Sequence, residues 1–254
     1  MAEALLAAGF NAQGFDIRPM SEFGDFAHHL APSIEQFGVG LETLISVVRD
    51  IPQTEELLFG RLALLQNAPD LKTIVISSTV APSYLAKLRA RLPQHISLVD
   101  APMSGAPAAA RERRLSFMLG GDAQDIDALL PMFKAMGRDI HRIGQLGAGM
   151  TAKVLNNLVA ASSVCATRLV LDRAKDCGIN ADEMLAVLNS SSGQTWFGSN
   201  FQSIDWADEG FDPTNTMAIL KKDVQSALSI MDNPTEMALG ATVIDLLSTM
   251  KPAG

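Results

Sequence analysis

At 254 residues, 48% hydrophobic and 19% charged, the chain has the composition of a globular protein of one large or two ordinary domains, long enough to bury a sizeable core. Its formal net charge of -8 argues against a nucleic-acid partner, which wants a basic face. The apolar runs fall short of the roughly 18 residues of a bilayer span and no charged-then-apolar leader precedes them, so the expectation is a cytoplasmic protein with no membrane partner.

In chain order, residues 2–8 read as a short amphipathic helix closed by Gly9, followed by a strand over 12–15 that ends at Asp16-Ile17-Arg18-Pro19. The stretch 20–41 is broken by Pro32 and by glycines, with Ser33 placed to cap a helix through Phe37. Residues 44–48 are a continuous apolar strand of the kind buried on both faces of a parallel sheet; a loop over 49–54 and a helix over 55–65 follow. The pattern repeats with a strand at 73–77, the turn Ser78-Thr79-Val80-Ala81-Pro82, a helix at 83–92 and a strand at 96–99. A strand at 115–119, a helix at 123–136 and a strand at 139–143 complete it. Strands alternating with helices at this spacing predict a Rossmann-type, mostly parallel sheet, with ligands beyond the carboxyl ends of its strands.

From Gly147 the texture changes. Gly147-Ala148-Gly149 lets the backbone turn tightly, and a run without proline to Gly178 carries Val154, Leu155, Leu158, Val164, Leu169 and Leu171 at helical spacing. On that helix Lys153 and Asn157 share a face, about 6 Å apart in rise and close to the positive N-terminal end. Helices over 181–188, around Lys221-Lys222-Asp223 and over 235–250 follow, giving an α/β domain over 1–146 and an all-helical domain over 147–254. Cys165 and Cys177 lie on one helix, roughly 18 Å apart, too far to bridge. The histidines 28, 29, 95 and 141 show no metal-ligand spacing, and no metal is expected. A second informative stretch is Asp100-Ala101-Pro102-Met103-Ser104-Gly105, where a hydroxyl followed by glycine suits a carboxylate grip; an ordinary Ser-Gly turn is the competing reading. Arg111, Arg113 and Arg114 are expected to be solvated.

Together these stretches resemble the β-hydroxyacid dehydrogenases, of the 3-hydroxyisobutyrate dehydrogenase-like kind. The resemblance covers nearly the whole chain. Asp100 to Gly105 is similar to that family's DAPVSG stretch, and GAGMTAKVLNN, from Gly147 to Asn157, matches its GxGxxxKxxNN stretch at every specified position. Ser78-Thr79 with Pro82 resembles its STxxP turn, and Lys222-Asp223 its late KD pair. The run Gln53-Thr54-Glu55 looks most like the L-threonate branch. The resemblance implies an oxidoreductase passing a hydride between NAD, with NADP left open by Arg18, and a small 3-hydroxy carboxylic acid. Lys153 is then the general acid/base, a role that needs its pKa lowered by burial or a neighbouring cation such as Lys222. Ser104 and Gly105 hold the substrate carboxylate, Asn157 orients the substrate, and Lys222 closes over substrate and cofactor. Asp16, Ser78 and Thr79 serve the cofactor, Asp16 through the ribose hydroxyls.

The departures from the family pattern are equally legible. The resemblance implies a strand and a GxGxxG phosphate turn before the first helix, and this sequence starts inside that helix; an internal start or a truncated gene are the expected explanations. It also stops before the usual last helix. Ala106, Ala109 and Arg113 stand where glycines are usual. A non-catalytic remnant that keeps only helical-domain association is therefore the alternative function, and oxidation is not separated from oxidative decarboxylation. Apolar arcs that include Met184, Leu185, Val187, Leu188, Ile230, Met231, Met237, Val243 and Leu247 predict a homodimer or homotetramer.

Overall fold

The computed structural model describes residues 1–253. Gly254 and the side chains of Ala106 and Pro107 lie outside the described residues, and with them any effect of the Ala106 β-carbon on substrate approach. The chain divides into two compact units, and the break falls between Lys153 and Val154, inside the long helix rather than before it.

The first unit starts with α1 (Ala2–Ala7), a 3-10 stretch (Met20–His29) and α2 (Ile34–Gly38), which Ser33 caps by accepting the Gln36 N–H at 3.4 Å. It continues through β1 (Thr43–Ser46), α3 (Ile51–Leu58), α4 (Leu64–Asn67), β2 (Thr73–Ile76), α5 (Pro82–Arg91) and β3 (Ser97–Asp100). Then come β4 (Met103–Ser104), α6 (Ala106–Arg111), β5 (Leu115–Gly120), α7 (Ala123–Met136), β6 (Gly137–Gly144) and the start of α8 (Ala148–Asp176). The sheet order is β1-β2-β3-β5-β4, with β6 paired to β5. β1, β2 and β3 run parallel, β5 is antiparallel to β3 and β4, and β6 is parallel to β5, so the sheet is mixed.

Period-two burial explains the apolar strands. Ile74 and Ile76 of β2 pack with Leu58, Leu64, Leu85 and Leu88 on one face. Val75 packs on the other face with Val99, Phe117, Leu119 and Phe133, so β2 is buried and apolar on both faces from Ile74 to Ile76. Each such side chain contributes roughly 1.5–3 kcal/mol by leaving water. Three expectations are corrected. Residues 12–15 form no strand but a single bridge from Gly14 to Leu30, because neither short segment has a longer partner to extend a ladder. β1 lies at the end of the sheet order, with Ile45 half-buried and Val47 exposed, so 44–48 is not buried on both faces. The loop expected at 49–54 is mostly helix, because Asp50 caps α3 by accepting the Gln53 N–H at 2.9 Å and Pro52 suits a first turn; the helix ends at Leu58 and the chain restarts as α4.

The second unit holds the rest of α8, then α9 (Ala181–Asn189), α10 (Trp196–Ser199), a 3-10 turn (Phe201–Ser203), α11 (Thr216–Leu228) and α12 (Pro234–Ser248). Asn180, Thr195, Asn215 and Asn233 supply side-chain N-caps. By length and composition α8 could cross a membrane, more than the sequence reading allowed. Here Val154, Leu158, Ala161, Val164 and Cys165 instead pack with Phe197, Met217, Val224, Val243 and Leu247 in the unit's own core. Arg168 is buried in the same helix and donates to the carbonyls of Ala207 at 2.7 Å, Glu209 at 3.0 Å and Lys251 at 2.7 Å, which ties the chain's last residues to a mid-chain turn.

What fixes the start of α8 is a close backbone approach. A β-carbon on Gly149 would lie 2.2 Å from the Met118 carbonyl oxygen and 2.9 Å from the Gly120 nitrogen, and Gly147 has φ +92°. The Asp100 carboxylate sits beside them, accepting the Gly147 N–H at 2.7 Å and the Met150 N–H at 2.6 Å. Burial raises its pKa to about 6, against the lowering effect of those N–H donors. We expect Gly149→Ala to destabilise the first unit by at least ~2 kcal/mol through overpacking, read as a lower urea midpoint. A pKa raised on folding means the folded state holds this proton more tightly, so the group's contribution is full below about pH 4 and is lost as pH rises through about 6. The stability difference between the native chain and Asp100→Asn should therefore shift against the native chain by on the order of 3 kcal/mol between those limits, measured by urea unfolding of both at each pH.

Candidate active site

In the first unit the structure brings Lys153 and Ser104 together. Lys153 is buried on the second turn of α8, and its Nζ donates to Ser104 Oγ at 2.9 Å. Ser104 ends the two-residue strand β4, four residues after Asp100, and Gly105 follows with φ +135° as the N-cap of α6. That conformation, and the 2.6 Å approach of a hypothetical β-carbon to Ala109, reserve position 105 for glycine. A serine that accepts from Lys153 keeps its own hydroxyl proton to donate, which is what a carboxylate ligand needs. The segment after Ser104 winds into the short helix α6.

At the carboxyl ends of the neighbouring parallel strands lie buried hydroxyls. Ser46 closes β1 and Ser77-Ser78 follow β2, joined by the Ser77 N–H donating to the Ser46 carbonyl at 2.9 Å. All three side-chain oxygens are buried without a hydrogen-bond partner among the described residues. Thr79 beside them is half-buried. Of these only Ser78 and Thr79 were expected from sequence; Ser46 and Ser77 read as ordinary strand residues, and only the strand register reveals them.

Asp16 is half-exposed in the bend after the Gly14 bridge. Its carboxylate accepts from the Arg18 backbone N–H at 3.0 Å, from Nε at 3.3 Å and from Nη2 at 3.2 Å. Partial burial pushes this carboxyl up, but the Arg18 hydrogen bonds and charge outweigh it and hold the pKa below the ordinary value. The two residues that sequence offered as opposing readers of the cofactor are thus paired with each other.

In the second unit Asn157 is buried, and its Nδ2 donates to Asp223 Oδ2 at 2.5 Å while its Oδ1 accepts from Asn156 Nδ2 at 3.1 Å. Both ends of the Asn157 amide are held. Asp223 is buried on α11, and Lys222 Nζ lies 3.1 Å from its Oδ1, an ion pair outside hydrogen-bond geometry. The Lys222 charge is therefore faced by a carboxylate. From the sequence Asp223 stands only as half of the Lys222-Asp223 pair, and its spacing on an amphipathic helix is the signal that it turns inward. Asp100 likewise carries no role of its own in the sequence pattern.

Both halves of the chain match known protein families. Residues 1–147 match the NAD binding domain of 6-phosphogluconate dehydrogenase, and residues 147–254 match the NAD-binding domain of NADP-dependent 3-hydroxyisobutyrate dehydrogenase. The chain is 32% identical over 199 residues to a 3-hydroxyisobutyrate dehydrogenase of Pseudomonas aeruginosa, covering 77% of this chain and 67% of that one. It is 28% identical over 204 residues to an L-threonate dehydrogenase of Cupriavidus necator, covering 79% and 69%. The crystal structure of a 3-hydroxyisobutyrate dehydrogenase from Salmonella typhimurium shares the fold at a TM-score of 0.81 and 23% identity, covering 97% of this chain and 88% of that one. The chain belongs to the β-hydroxyacid dehydrogenase family, oxidoreductases that pass a hydride between NAD or NADP and a small hydroxy acid.

Proposed function

We propose that this chain oxidises the hydroxyl of a small 3-hydroxy carboxylic acid, with Lys153 as the general acid/base. The observation that carries the reading is the buried Lys153 Nζ held 2.9 Å from Ser104 Oγ, a proton carrier fixed beside a carboxylate donor. Ser104 and the Gly105 turn grip the substrate carboxylate, and Lys153 in its neutral form takes the hydroxyl proton as the C–H electron pair departs. Asn157, held by Asp223 and Asn156, orients the substrate. The family resemblance assigns Lys222 to substrate and cofactor, and within its own unit Asp223 balances its charge.

The chain's residues fit a nicotinamide dinucleotide. The orphaned hydroxyls of Ser46, Ser77 and Ser78 sit at the carboxyl ends of parallel strands, where open α/β sheets take their ligands, and hydroxyls suit ribose and amide groups. Ser78 is assigned to the cofactor on this ground, and the half-buried Thr79 by its place beside it at the same strand end. When bound, NAD or NADP supplies the hydride acceptor. Asp16 favours NAD through the ribose hydroxyls once Arg18 releases it, and the same Arg18 is the group a 2′-phosphate would meet. The free thiols of Cys165 and Cys177 suit a reducing compartment such as the cytoplasm.

Self-association is part of this reading, on revised residues. Leu185, Val243 and Leu247 are buried within the unit and are removed from the expected interface, whereas Val187, Ile230 and Met237 are exposed. Leu155 and Val159 on α8 add an exposed apolar step, Val159 at 69% exposure. Light scattering should show a dimer or tetramer that Leu155→Lys with Val159→Lys shifts toward monomer; an unchanged mass refutes the surface. For the chemistry, Lys153→Ala should cut dinucleotide reduction with a panel of 3-hydroxy acids, L-threonate, L-serine and 3-hydroxyisobutyrate among them, by roughly 10²–10⁴-fold while dinucleotide affinity holds. Activity within a few-fold of the native chain would sink the role.

A further inference from the structure

The carboxylate of Asp100 has no part in the chemistry just described, yet it is fully buried and precisely engaged at both oxygens. Oδ1 accepts from Gly147 and Oδ2 from Met150, the residues that begin α8. Asp100 is also the last residue of β3, and the chain reaches Ser104 four residues later. Met150 precedes Lys153 by three residues on a helix that rises about 1.5 Å per residue. One carboxylate therefore stands at the origin of both arms that end in the Lys153–Ser104 hydrogen bond.

The slot that holds it is built for a carboxylate. A β-carbon at Gly120 would lie 2.5 Å from Asp100 Oδ1, and one at Gly149 would lie 2.9 Å from Oδ2. Gly120 is the register partner of Asp100 across β3 and β5, so the sheet itself presents the gap. A helix-capping side chain usually comes from the residue just before its helix, where local sequence sets its position. Here the cap comes from 47 and 50 residues away, so it also fixes the sheet against the helix.

We propose that Asp100 is a positioning residue for Lys153: by bonding the first turn of α8 to the strand end that leads into Ser104, it sets the distance and direction of the Lys153 Nζ–Ser104 Oγ contact. The functional meaning rests on Lys153 being the proton carrier, but the placement itself is tested without turnover. An asparagine at this position keeps one acceptor and turns an NH2 group toward the other N–H, which breaks the two-point hold with almost no change in shape.

The test is competitive acetylation of the full chain, followed by mass spectrometry, with the exposed Lys87 and Lys134 as internal references. In folded Asp100→Asn, Lys153 should label roughly tenfold faster, the scale of one lost charge-assisted hydrogen bond, and match Ser104→Ala, while the references stay constant. A folded Asp100→Asn chain with native Lys153 labelling overturns the proposal. Should that variant not fold, the native chain decides. Under urea below the unfolding transition, the Gly147 and Met150 amides should open to hydrogen exchange in step with Lys153 acetylation; amides that open while Lys153 labelling stays flat overturn it equally. Unaltered labelling in Asp100→Asn counts against the positioning role, whereas full turnover in Lys153→Ala counts only against the proton-carrier reading.

Discussion

A backbone contact that only glycine permits sets the start of the long helix. Gly120 closes β5 and Gly149 opens α8, and a β-carbon on either would lie within 2.9 Å of the other's nitrogen. Sheet and helix meet there main chain to main chain, as close as such elements come. Once the first turn of α8 is pressed onto the sheet, helical geometry fixes the height and azimuth of the Lys153 backbone. On the proposed reading of Lys153 as the proton carrier, a backbone placed on folding spares the mobility that a group on a loop would have to lose when substrate arrives.

The same contact explains why the domain break falls where it does. A boundary before Gly147 follows from composition, since the strands end there. Met150 nevertheless belongs to the core formed by Ile74, Ile76 and Leu85, and its sulfur accepts the Val80 N–H at 3.4 Å. The first turns of α8 are thus packed as part of the sheet unit, and the helix passes to the helical unit's core only from Val154.

Much of this was legible in the sequence. The long helix, α5, α7, β2 and the helical second half follow from periodicity and from proline and glycine punctuation. The pairing of Lys153 with Ser104 was implied by two stretches whose family resemblance set them in one site. What stayed hidden was long-range. No local pattern says that β5 runs antiparallel to β3, because direction is decided by the β4–α6 turn rather than by the strand's own residues. Segment 12–15 has the composition of a strand, but a strand needs a partner, and only Gly14 has one. Asp100 and Asp223 were visible as letters, yet their roles depend on residues 47 and 66 positions away.

Two carboxylates show how differently the protein treats the same group. Asp16 is half-exposed, and a guanidinium beside it holds its proton affinity down. Asp100 receives two short backbone N–H bonds at the positive end of a 29-residue helix, and burial still lifts its pKa to about 6. Desolvation therefore exceeds what these backbone donors return. An apolar residue of similar size would avoid that desolvation but would leave the Gly147 and Met150 N–H groups without their acceptor. What an apolar residue could not do is bind two specific N–H groups at once. The carboxylate supplies the junction with direction as well as with acceptors, and at this junction direction is what places the lysine.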